Sequence, residues 1–164
     1  MPRLQETISR AETNLQRKLE WISRYDTRVI FVASIAIAML GVLASASGNL
    51  KEWSCLSLFS FGASFILLII SLTYVYLAQR PKITSPNQSL LFFGTISKLK
   101  FTNFSDQFKN STDEEYLNDL LHQIHINSIV LCKKFRYLRY SIFSIGLAVI
   151  PWGSSVYFSK LYLN

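Results

Sequence analysis

Charge is scarce in this chain. Only 16% of its 164 residues are Asp, Glu, Lys or Arg, against 50% hydrophobic, where a soluble domain is about one-quarter charged. Cysteine and histidine are scarcer still, at two each and without clustering. That excludes a zinc site and a disulfide framework. There is no glycine-rich loop to cradle phosphates and no nucleophile–base motif, so the chain is not read as an enzyme. No Asp, Glu, Lys, Arg or His falls inside the three uncharged stretches described next, which removes the usual carrier of a proton relay or voltage sensor.

Those stretches lie between Arg28 and Lys51, between Glu52 and Arg80, and between Arg139 and Lys160. Each holds about 20 residues or more, the length of a helix that crosses a bilayer. Buried helices of a soluble bundle would keep one polar face. The fold class is therefore an all-α membrane protein with three transmembrane helices. Basic residues set the orientation. Fifteen precede the first span or lie between the second and third, against Lys51 and Lys160 on the other side. The positive-inside rule then places the N-terminus and residues 80–139 in the cytoplasm and the C-terminus outside. The net charge of +7 follows mostly from that rule and does not call for nucleic acid.

Four regions follow. Residues 1–28 form a cytoplasmic amphipathic helix, with Leu4, Ile8, Ala11, Leu15, Leu19 and Ile22 on one stripe. Residues 29–79 form a two-span hairpin, turning at GNLKEW with Trp53 at the outer interface. Residues 80–139 form a cytoplasmic region whose long helix could couple it to the membrane, and for which the resemblance given below implies sensing; 140–164 form the third span and outer tail. Trp21 belongs to an aromatic belt, and Asp26 and Arg28 sit at the mouth of the first span, where Arg28 reaches toward phosphates. From Pro81 to Ser111 the expectation is connected loops with one short ordered piece, with SPNQS as a turn. Gly94 after Phe92-Phe93 permits an unusual backbone or a close approach.

The stretch from Thr112 to Ser159 reads as one continuous helix, opened by a Thr112–Glu115 capping box. Leu117, Leu121, Ile124, Ser128, Leu131, Phe135 and Leu138 make a heptad-like seam whose natural partner is the N-terminal helix. Gln123, His125 and Asn127 fall off that seam. Arg139 marks the membrane entry of this helix, and Pro151 a kink midway along the last span.

LEWISRYDTR before a two-span hairpin, then LLFFGTIS and DLLHQIHINSIVLCKKFRYLRYSIF before a last span, together resemble the Pycsar transmembrane effectors. Trp21 with Asp26, Phe92-Phe93-Gly94, Gln123 and His125, then Lys134 and Arg139 bear most of the likeness; Arg28 stands where that family favours Lys. The resemblance implies antiphage defence at the bacterial inner membrane. A partner pyrimidine cyclase would make cUMP or cCMP, and a homo-oligomer of the effector would sense it and impair the membrane. No cofactor or metal is implied. Such a ligand needs a cation for its phosphate, an amide or imidazole for its base and an aromatic platform. Phe92, Phe93, Gly94, Gln123, His125 and Lys134 are the candidate contacts. A constitutive membrane adaptor and a small channel are the competing readings.

Overall fold

A computed structural model describes residues 2–48, 54–80 and 89–161. Five helices occur among them: α1 (Pro2–Gly48), α2 (Cys55–Gln79), α3 (Phe93–Ile96), α4 (Phe101–Asn110) and α5 (Asp113–Leu161). There is no strand among the described residues, and α1, α2 and α5 are each long and apolar enough to span a membrane. The chain is thus all-α with three membrane-crossing helices. The expected turns at GNLKEW, including Trp53, and at SPNQS fall largely or wholly outside the described residues.

The N-terminal amphipathic stretch and the first span are one 47-residue helix. Its protected positions explain why no break is needed. Leu4, Ile8, Ala11, Leu15, Lys18, Ile22, Tyr25, Val29, Val32, Ala36, Met39, Leu43 and Ala46 are buried or half-buried and step by four and three throughout. That 3.5-residue repeat keeps one seam facing a neighbour along the whole rod. Leu19 lies beside this seam and is exposed, so it leaves the stripe expected for it.

The 49-residue α5 has a matching repeat, but in a register that differs from the expected one. Leu117, Leu120, Ile124, Asn127, Leu131, Lys134, Leu138, Ser141, Ile145 and Ala148 are buried or half-buried; Ser128 and Phe135 of the expected seam are half-buried too, and Leu121 is its exposed member. Leu120 is 2% exposed and Leu121 49%, the reverse of the sequence reading. Leu117, Ile124, Leu131 and Leu138 are common to both registers, and after Leu117 an apolar residue follows in either, Leu120 or Leu121. The membrane half decides: Ser141 and Ala148 are small enough for close helix contact, whereas Ile142 and Val149 face outward.

The described chain packs as two compact units. The first, here the polar unit, joins Met1–Arg24 to Pro81–Cys132. Its core is Ile8, Ala11 and Leu120, flanked by Leu4, Leu91 and Ile124. From Ser89 to Ser111, the described part of the stretch expected as loops, the chain is more helical than expected, with α3 and the ten-residue α4. Phe101, Phe104 and Phe108 are spaced as one helical flank, and α4 buries none of them fully. Phe104 is half-buried, with its ring 5.7 Å from that of Phe108, and Phe101 and Phe108 are exposed.

The second, here the span unit, joins Tyr25–Arg80 to Lys133–Asn164. Ala36, Leu68 and Ala148 meet at one level, and Leu43, Ala46 and Phe61 at another. Small residues allow this approach where lipid gives no hydrophobic drive between helices. Ser71 and Ser141 are fully buried, with hydroxyls 2.7 Å apart. α5 continues through Pro151, and the neighbouring Trp152 indole donates to the Met39 carbonyl at 3.0 Å, tying α5 to α1. α2 stops at Gln79 because Arg80, with φ −56° and ψ 118° outside the helical region, precedes Pro81.

Candidate functional site

In the polar unit, the start of α5 is built as its sequence dictates. The Thr112 N–H donates to the Glu115 carboxylate at 2.8 Å and the Glu115 N–H to the Thr112 hydroxyl at 3.3 Å, a reciprocal capping box. Two side-chain bonds then hold α1 alongside α5. Gln5 donates to Asp113 and the Tyr116 hydroxyl to Glu12, both at 2.8 Å. The Glu12 bond, followed by burial, raises the Tyr116 phenol above its ordinary pKa, so this donor keeps its proton.

The segment before α3 is held by two side chains of modest size. One Asp119 oxygen accepts the N–H groups of Leu90 at 2.9 Å and Leu91 at 3.2 Å. The Ser89 hydroxyl accepts those of Leu91 at 3.2 Å and Phe92 at 3.1 Å. Gln123 donates its amide to that same hydroxyl at 3.0 Å and is 5% exposed. The expectation that Gln123 lies off the packed face is therefore corrected. It sits three residues after Leu120, on the flank of the observed seam, where its amide is used inside the protein.

The structure thus joins Gln123 to Phe92 through Ser89. Phe92 and Phe93 have rings 4.7 Å apart, Phe92 half-buried and Phe93 exposed. Gly94 is buried within α3, and no described glycine adopts a left-handed backbone; of its two expected uses, only close approach fits. His125 is exposed. Lys134 belongs to the span unit, where it pairs with Asp26 at 3.2 Å and lies 5.1 Å from the Tyr25 ring. Tyr25 is fully buried against Phe135, and its hydroxyl has no hydrogen-bond partner among the described residues. Of the other membrane-entry residues, Arg28 and Arg139 line one groove of the span unit, Pro151 lies inside α5, and Trp21 belongs to the polar unit.

Two cavities open in the polar unit. One, of about 500 Å³, is lined by Leu90, Gln107, Phe108, Glu115, Tyr116 and Asp119 among others. Its carboxylates oppose an anion. The other, of about 790 Å³, runs along α1 beside Leu121 and Ile124 of α5. Arg10, Asn14, the adjacent Arg17 and Lys18, and Trp21 line it on one flank of α1, with Thr7 and Thr13. Arg24 stacks over Trp21 at 5.7 Å. Three cations, an amide and an aromatic face are the donor set for a phosphate attached to a ring. Arg10, Arg17 and Lys18, like Ser89 and Asp119, are absent from the candidates chosen by sequence. For the cations the signal was there, because their 3–4 spacing with Trp21 puts them on one flank.

Fold and site define an all-α protein with three membrane-crossing helices and a polar unit whose surface offers binding chemistry. A family model for PycTM, the Pycsar effector protein domain, matches residues 10–159. The chain belongs to this family. It is accordingly a membrane effector of Pycsar antiphage defence, and its family is one of membrane effectors rather than known enzymes. The Pycsar effector protein GmPycTM of Gulbenkiania mobilis is 26% identical, over 79% of this chain and 81% of that protein. No solved structure matches the chain.

Proposed function

We propose that the protein is switched on by a cyclic pyrimidine mononucleotide, cUMP or cCMP, made by a partner cyclase, and that it then impairs the inner membrane as a homo-oligomer. The polar unit would face the cytoplasm, as the basic residues on either side of the spans favour. The observation that supports a nucleotide is the α1 groove. Arg10, Arg17 and Lys18 supply charge for one phosphate, Trp21 supplies a face for a pyrimidine, and Asn14 both donates and accepts.

A second position in the same unit is the neighbourhood of Phe92, Phe93, Gly94, Gln123 and His125, favoured by the Gln123–Ser89–Phe92 connection. In either position the ligand acts by population shift. It stabilises one packing of α1 against α5 in the polar unit. Both helices continue into the spans, so a change of packing is passed along the 3.5-residue seams. Lys134 and Asp26, on those helices at the membrane entry, would act in coupling.

Titration calorimetry on the purified protein tests this reading, with cUMP, cCMP and a purine cyclic nucleotide as ligands. A pyrimidine nucleotide should bind, and Arg10→Gln with Arg17→Gln should weaken it about 10- to 100-fold, the loss of one or two charge-assisted bonds. Weakening by Gln123→Ala with His125→Ala instead assigns the second position. Absence of binding by both pyrimidine nucleotides contradicts the proposal.

A further inference from the structure

The span unit has its own groove, of about 740 Å³, between one flank of α1 and one of α5. Arg28 and Arg139 line it together with apolar walls that include Phe31, Ile35, Ile142 and Ile145. α1 and α5 run in the same direction here, since Asp26 meets Lys134 and, further along both helices, Met39 meets Trp152. Side chains on a helix lean toward its N-terminus. Both arginines therefore belong to the N-terminal half of the groove's two walls, with Phe31, Val32, Ile35, Ile142 and Ile145 beyond them. From Arg28 to Ile35, and from Leu138 to Ile145, each wall rises about 10 Å at 1.5 Å per residue, most of the ~15 Å depth of one hydrocarbon leaflet.

Charge narrows the occupant further. Both arginines are exposed, and neither forms an ion pair among the described residues. Within 25–80 and 133–164 the acidic residues are Asp26 and Glu52. Asp26 already holds Lys134, and Glu52 follows the far end of α1. A second copy of the span unit docked in the groove would thus bring no free carboxylate to this level. A lipid phosphate would satisfy both guanidiniums while its acyl chain covers the walls.

We propose that this groove is a binding site for one anionic glycerophospholipid, with its phosphate between Arg28 and Arg139 and an acyl chain between α1 and α5. A zwitterionic lipid fits less well, because its ammonium is repelled by the arginine pair. The site lies in the span unit and does not depend on the nucleotide reading.

Native mass spectrometry of the detergent-purified protein tests it, using phosphatidylglycerol and phosphatidylcholine with identical acyl chains. The expected result is one retained phosphatidylglycerol per chain, preferred about tenfold or more because the choline cation of the other lipid is repelled by the arginine pair. Arg28→Gln with Arg139→Gln should abolish the preference, whereas Lys133→Gln with Arg136→Gln, which removes equal charge from exposed positions of α5, should keep it. Ile142→Trp, filling the groove from an exposed position, should weaken both lipids while leaving the arginines in place. Equal retention of both lipids, loss of preference in the Lys133/Arg136 control, or equal binding of chain-free glycerophosphoglycerol overturns the proposal.

Discussion

Replacing Asp119 with alanine removes one carboxylate oxygen that accepts two backbone N–H groups, those of Leu90 and Leu91. The Leu91 N–H keeps the Ser89 hydroxyl at 3.2 Å as a second acceptor, so the Leu90 N–H alone loses its partner outright. A hydrogen bond to a charged group contributes about 1.5–3 kcal/mol. The site is half-buried and water replaces part of that, so the local opening free energy of the 89–92 segment should fall by ~2 kcal/mol. That corresponds to roughly 30-fold faster amide exchange for a peptide covering this segment. Asp119→Asn keeps a neutral acceptor and should lose about half as much free energy, roughly fivefold in rate. Hydrogen–deuterium exchange with mass spectrometry reads both variants against the α2 peptides as an internal reference. Acceleration below about threefold in Asp119→Ala would mean that the 89–92 segment is held by something other than this carboxylate.

Four more outcomes follow from the packing. Leu120→Ala should destabilise the protein by about 2–5 kcal/mol, and Leu121→Ala, on the exposed neighbour, by well under 1 kcal/mol; equal losses in thermal unfolding would restore the register expected from sequence. Tyr25→Phe removes a buried hydroxyl that has no partner, so stability should stay the same or rise by ~1 kcal/mol; a loss of more than about 1 kcal/mol would show that the hydroxyl is bonded. A Ser71–Ser141 double-mutant cycle to alanine should give a coupling of about 0.6 kcal/mol, the usual size between membrane helices, and zero coupling would deny the 2.7 Å contact. A Gly-Gly insertion between Arg139 and Tyr140 should spare nucleotide binding and abolish membrane damage, measured by calorimetry and dye release; surviving damage would place the coupling outside α5.

Much of this architecture was legible because lipid imposes few solutions. Three uncharged stretches of bilayer length leave little alternative to spanning helices, and the Thr112–Glu115 box announces the start of α5. The register of α5 was not legible. Leu120 and Leu121 are equally apolar and the alternatives share every other seam position, while Phe135 over Lys134 and Ile142 over Ser141 draw the hydropathy pattern toward the expected register. The deciding residues, Ser141 and Ala148, lie in the membrane half, where small size rather than hydropathy marks the packed face. The same slip moved Gln123 and Asn127 off the protected side and hid why Lys134 meets Asp26. Ser89 and Asp119 are 30 residues apart in sequence and acquire a shared task only when the chain folds back onto α5. The α4 helix was obscured because its aromatics alternate with polar residues without closing a core.

Dye release from proteoliposomes tests the central claim most directly. With the purified protein reconstituted at low density, cUMP or cCMP should trigger release, and a purine cyclic nucleotide at the same concentration should not. Release without any nucleotide would identify a constitutive channel, and silence with both pyrimidine nucleotides would contradict the effector mechanism and leave an adaptor.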